Sequence, residues 1–262
     1  MLYVFCDGPR CSQDVEPVEA TRREVQRVLP SESNIVFREE NWGLGKSIIE
    51  GTNRLTEKFG TVIVIEDDLV TSKYFLKYMQ DALNLYADAE QVMQISGHMF
   101  PVEIPLKDDA FFLPFTTSWG WATWRRAWKH FDPEMRKLRL LDESSKLRHQ
   151  FDLNGSFPYF KMACNQRRGM TDSWAIRWYL SVFFNRGLTL YPTSSLVSNI
   201  GFDGTGTHCA SEKTYTTFLD HSVDKFPSVE LNVSVANRVF HHLRHQNRWW
   251  YKLWRRSLAN LA

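Results

Sequence analysis

The chain has 262 residues, 32 of them basic and 30 acidic, for a formal net charge of +2. This length suffices for one large domain, or a domain with an elaborated second lobe, and the charge balance excludes a global field that would draw in nucleic acid. There is no basic stretch leading into an apolar run at the N-terminus and no apolar run long enough to span a bilayer. The four cysteines (Cys6, Cys11, Cys164, Cys209) follow no regular spacing, so the expectation is a soluble, cytoplasmic chain with reduced thiols.

Leu2 to Cys6 reads as a strand, and Asp7-Gly-Pro-Arg10 as the loop leaving its end. Val18, Val25, Val28 and Leu29 form a loose helical stripe before Pro30, and Asn34 to Arg38 is the next strand. Asn41-Trp-Gly-Leu-Gly-Lys46 then leads into a helix carrying Leu44, Ile48, Ile49, Leu55 and Phe59. Val62-Ile-Val-Ile65 reads as a strand buried on both faces, and Glu66-Asp67-Asp68 follows at once. Phe75, Leu76, Met79, Ala82, Leu83 and Tyr86 mark another amphipathic helix. Strands alternating with helices predict a doubly wound, mostly parallel sheet with right-handed crossovers.

Gln91 to Ser96 and Ala110 to Phe115 are the next strands. Past Phe115 the composition changes: Trp119, Trp121, Trp124 and Trp128 crowd together, and a charged helical region runs from about Pro133 to Phe151. The expected organisation is a ligand-binding α/β half over 1–115, a second half of the same domain over 116–238, and a basic, aromatic C-terminal helix over 239–262.

The acidic triplet is the strongest chemical signal. Carboxylates at the end of a parallel strand lie at the sheet edge where open α/β folds bind ligands, and three side by side repel unless a divalent cation or polar ligand holds them. A solvated strand-to-loop junction is the plainer reading. Asp7 and Arg10 should emerge on the same edge, where a carboxylate can accept from an imide N–H and an arginine can meet phosphate; an ordinary tight turn is the alternative. Gly45 and Lys46 sit in a segment like a phosphate cradle, although the P-loop spacing is absent and a helix start with a solvated lysine explains it as well. Asp172, before Trp174, suits a general base if partly buried beside the ring, or else caps the helix that follows. Trp121 and Trp174 offer faces for stacking a sugar, though aromatics at this density more often build a core. His208, in the glycine-rich stretch 195–208, is a candidate metal ligand or diphosphate contact. The tract from Phe240 to Arg256 mixes tryptophans with arginines, as suits either an anionic membrane surface or a docked helix with a solvated face.

Taken together and in order, the strand ending in Asp7, the strand ending in Glu66-Asp67-Asp68, Gly120-Trp121 after a Phe-rich strand, and Asp172-Ser-Trp174 resemble the GT-A fold glycosyltransferases, in particular the N-acetylglucosaminyltransferase I family. The Trp-Gly-Trp-Ala-Thr-Trp and Asn-Ile-Gly-Phe-Asp-Gly-Thr-Gly-Thr-His stretches also resemble bacterial transferases acting on surface polysaccharides. The resemblance covers Asp7 to about His208. It implies a Rossmann-like, three-layer α/β/α domain, N-terminally truncated because the strand and loop that usually precede the first one are lacking. It further implies Mn²⁺ or Mg²⁺ on Asp68, a ribose contact at Asp67, a donor-sugar neighbour at Glu66, uracil at Asp7 and a catalytic base at Asp172. The implied activity is inverting transfer of a sugar such as N-acetylglucosamine from a UDP-sugar to a glycan or lipid-linked glycan, by an enzyme cytoplasmic or peripheral to the membrane. A nucleotidyltransferase, for which the sequence has no glycine-rich basic N-terminal loop, and a non-catalytic glycan-binding or scaffold protein are the alternatives.

Overall fold

The computed structural model describes residues 1–201 and 222–259, with 247–259 described by backbone alone. Its centre is a five-stranded mixed sheet in the order β3 (Thr61–Val64), β7 (Trp121–Trp124), β5 (Val92–Ser96), β8 (Leu188–Pro192), β6 (Ala110–Leu113). Only β5 and β8 pair in parallel; β3 with β7, β7 with β5, and β8 with β6 are antiparallel.

The mostly parallel sheet expected from the sequence is therefore corrected to a mixed one, and the connections explain why. β3, β5 and β8 are each reached through a helix, namely α2 (Gly43–Phe59), α3 (Phe75–Leu85) and α8 (Trp174–Phe184), and all three run in the same direction. A helical crossover returns the chain to the same end of the sheet, as parallel strands require. β6 and β7 follow segments without a helix, 97–109 and 114–120, and run the other way.

Two further strand pairs flank this sheet. β1 (Tyr3–Cys6) and β2 (Asn34–Phe37), linked through α1 (Val15–Val28), form a parallel pair, while β4 (Leu69–Thr71) and β9 (Val197–Asn199), far apart in sequence, form an antiparallel pair. β3 lies at an edge of the five-stranded sheet, not in its middle. Its expected burial on both faces is corrected accordingly: Val62 is buried, but Ile65 just beyond the strand is 45% exposed.

The faces of the sheet bury two hydrophobic clusters, and the period of two along β6 sorts its residues between them. Ala110 and Phe112 join a cluster with Phe75, Met79, Ile95, Trp121 and Trp178; Phe111 and Leu113 join one with Leu138, Phe151, Tyr179 and Tyr191. Helix α8 contributes to both, Trp174, Trp178 and Val182 to the first and Ile176, Tyr179 and Leu180 to the second. The second cluster is closed by α5 (Leu138–Glu143), α6 (Ser145–Phe151), α7 (Tyr159–Arg167) and the first turns of α9 (Val233–Ala259). The short α4 (Arg125–Trp128) continues β7 into the first cluster. Among the described residues, no helix is long and apolar enough to cross a membrane.

Candidate functional site

Strands β3 and β5 end side by side on β7, because Val64 and Ser96 both pair with Trp121. The segments leaving these ends therefore share one edge of the sheet: Glu66-Asp67-Asp68 after β3, Gly97-His98 after β5, and Trp119-Gly120 entering β7. Glycine is required here. Gly97 N–H donates to Gly120 O at 2.6 Å, Gly120 has φ +56, and a Cβ on Gly120 would lie 2.8 Å from Val197 Cγ1 and 2.9 Å from Phe75 Cε2. The close approach seats Val197, and with it β9, against this edge.

That seating brings Asn199 to Asp68. Leu69 pairs with Asn199 across the β4–β9 ladder, Ile200 N–H donates to the Asp68 carbonyl at 2.8 Å, and Asn199 Nδ2 donates to Asp68 Oδ2 at 2.8 Å. The other carboxylate oxygen, Asp68 Oδ1, is buried and has no hydrogen-bond partner among the described residues. Burial, with Asp68 and Asp67 adding like charge, pushes the Glu66 carboxyl up to about 7. Among the described residues no lysine, arginine or histidine forms an ion pair with any member of the triplet. An orphaned carboxylate oxygen inside an uncompensated acidic group fits a hard divalent cation, which takes oxygen ligands and is held by one or two carboxylates. Among the described residues, no group of three or more His, Cys, Asp or Glu side chains is placed to hold a metal ion, so the triplet would have to share the ion with its ligand and water. His208, the expected further ligand, lies outside the described residues.

A second part of the site forms around the first turn of α2. Asp7, at the end of β1, accepts from Trp42 N–H at 2.8 Å and Gly8 N–H at 3.1 Å through Oδ1, and from Gly43 N–H at 2.8 Å through Oδ2. Its carboxylate therefore neutralises the helix start and retains one lone pair, on Oδ2, for a ligand donor. Two amides of the expected phosphate cradle are engaged in this way, and Lys46 lies over the Trp42 ring with Nζ 4.0 Å from its centroid. Arg10 is exposed, and its own N–H bonds to Asp14.

Asp172 meets the same turn. A Cβ on Gly45 would fall 2.4 Å from Asp172 Oδ1, so the absence of a side chain there makes room for this carboxylate. Trp174, two residues on, stacks on Trp121 with centroids 4.9 Å apart, which ties the start of α8 to the edge where β3 ends. Asp7, Gly45 and Asp172 are thus brought together around the first turn of α2.

Two expectations are corrected. Trp121 and Trp174 are 0% and 3% exposed and stacked on each other, so neither presents a face to a sugar; they are core, as their density allowed. Asp172 is not buried beside a ring. Its side chain is 57% exposed and paired with Arg177 Nη2 at 2.7 Å, and Ser173, accepting from Ile176 N–H, caps α8 in its place.

The structure adds residues that the sequence reading did not assign. Asn199 stood inside a quoted motif without a role. His98 packs edge-on against Trp119 at 4.5 Å, with Nδ1 3.5 Å from Ser195 Oγ, and burial lowers its imidazole to about 4, so it is neutral at physiological pH. No periodicity marks a lone histidine after a strand; only the shared edge reveals it.

No family model matches this chain, and no curated protein is significantly similar to it.

Proposed function

We propose that this chain is a GT-A-type glycosyltransferase that uses Mn²⁺ or Mg²⁺ to move a sugar, N-acetylglucosamine or a relative, from a UDP-sugar to a hydroxyl of a glycan or lipid-linked glycan with inversion. The observation that carries this reading is the buried, unpartnered Oδ1 of Asp68 within an acidic triplet lacking a basic partner among the described residues. A cation bound there supplies Lewis-acid neutralisation of charge developing on the leaving diphosphate. Asn199 holds Asp68 through Oδ2 and leaves Oδ1 for the ligand. Asp7 offers its remaining lone pair to an imide N–H of the base. Asp172 takes the proton of the attacking hydroxyl on Oδ2 while Arg177 fixes Oδ1; the new C–O bond forms at the anomeric carbon as the bond to the diphosphate breaks with its electron pair.

Calorimetry with UDP and with UDP-N-acetylglucosamine, in the presence and absence of Mn²⁺, tests the reading. Binding should require Mn²⁺ in the native chain and be lost in Asp68→Ala. Equal affinity with and without Mn²⁺, or in both proteins, rejects the metal site.

One observation favours a second reading, a non-catalytic glycan-binding or scaffold protein. The β1–β2 pair that carries Asp7 makes no strand pairing with the central sheet. A scaffold would neither hydrolyse nor transfer from any of a panel of UDP-sugars.

A further inference from the structure

Helix α9 is anchored by Val235, Ala236, Val239 and Leu243 in the second cluster. Beside that buried stripe runs a second one at helical spacing, Arg238, His241, His242 and His245, which faces Val102 and Glu103 across a groove of about 670 Å³. Three imidazoles within about one turn, where a helix meets a loop, are poor packing material and good donors. His241 and His245, at i and i+4, have their Nε2 atoms 3.2 Å apart. Two imidazole nitrogens on one tetrahedral Zn²⁺, at about 2.0–2.1 Å each, would stand roughly 3.3 Å from one another. The pair is therefore spaced for chelation before any ion is added.

We infer that His241 and His245, with Glu103 turning in from the facing loop and water completing the sphere, bind a late first-row divalent cation, Zn²⁺ above all, that staples α9 to the segment between β5 and β6. Imidazole donors select this class of ion over the hard Mn²⁺ and Mg²⁺ suited to the acidic triplet, so the inference does not rest on the proposed transferase activity. The contact between the two Nε2 atoms requires one of them to carry a proton, and chelation, which needs both lone pairs, moves that proton to Nδ1 of the same ring through solvent. No third ligand is already in place, as three such groups do not converge among the described residues, and Glu103 is exposed and must change rotamer. The Arg238 guanidinium opposes the cation from the same face, whereas the half-buried His242 ring, whose Nε2 has no partner, lies beside it.

Titration of the full chain with ZnCl₂ by calorimetry, together with the visible spectrum of the Co²⁺ complex, tests this. The native protein should bind Zn²⁺ at the site and give the intense bands of four-coordinate Co²⁺. His241→Ala and His245→Ala should each weaken binding by about tenfold or more, Glu103→Gln should weaken it less, and Asp68→Ala should leave this affinity unchanged. Both histidines are exposed, so unaltered thermal melts of the metal-free variants will exclude unfolding as the cause. Zn²⁺ binding of native affinity and stoichiometry in the double His241→Ala, His245→Ala variant, or no Zn²⁺ binding by the native chain, overturns the inference.

Discussion

At the scale of single residues, the acidic triplet creates a conflict that pH can expose. Glu66 has its carboxyl raised to about 7 by burial and by the neighbouring carboxylates. Between the ordinary carboxylate range and about pH 7 the native state therefore holds a proton that the unfolded chain has released. Stability contributed by neutral Glu66 is full at low pH and is lost as pH rises to about 7. Glu66→Gln should match the native protein in chemical denaturation at pH 4 and exceed it at pH 8, by at most about 3 kcal/mol. Saturating Mn²⁺ should narrow the gap at pH 8, since a cation compensates the charge that Gln lacks. A constant difference across pH would show that Glu66 is not strained. Asp172 poses the opposite case, a carboxylate exposed and ion-paired where some burial was expected. Asp172→Asn should change stability by less than about 1 kcal/mol, as for other exposed pairs. If it is the base, turnover should fall about 10²- to 10⁴-fold with donor affinity retained. A loss of affinity instead would make it a positioning group at the first turn of α2.

At the scale of elements, what the sequence made legible were the segments whose burial follows a period. β5, β6 and α3 announce themselves by apolar spacing, and the structure bounds them close to where that spacing begins and ends. β4, β7 and β9 did not, for physical reasons. β4 and β9 are three-residue strands that, among the described residues, pair only with each other, and β7 is a tryptophan-rich strand whose antiparallel insertion between β3 and β5 depends on long-range pairing. The site divides in the same way: Asp68 and Asp7 could be read from strand ends, while Asn199 and His98 are set by where β9 and β5 come to rest. Gly120 couples these elements. Replacing it by Ala forces a left-handed backbone on a residue with a Cβ and drives that Cβ into Val197 and Phe75. The expected loss is about 2–4 kcal/mol. Because Val197 begins β9, the same variant should also weaken Mn²⁺ binding, measured by calorimetry below its melting temperature. A destabilised protein with native Mn²⁺ affinity would separate the β9 seat from the site.

At the scale of the whole molecule, burial is divided unevenly, and this predicts where the fold opens first. All residues of β5, β6, β7 and β8 are buried, whereas no residue of β1, α1 or β2 is. The β1–β2 pair rests on the body largely through α2, with the Phe5 ring beneath Gly51, Tyr3 against Phe59 and Asp7 on the amides that begin the helix. Few buried apolar contacts and strand edges without sheet partners lower the cost of local opening. Hydrogen exchange under native conditions should therefore give opening free energies for β1 and β2 on the order of a few kcal/mol below those of β5 and β8. Uniform protection would show that the contacts through α2 suffice to make one cooperative unit. The same experiment reaches function, since a ligand that binds only the closed form stabilises it by mass action. UDP with Mn²⁺ should raise protection at β1 and at the first turn of α2 if Asp7 receives the base, whereas a gain confined to 66–71 and 197–199 would place the diphosphate on Asp68 and remove Asp7 from the pocket.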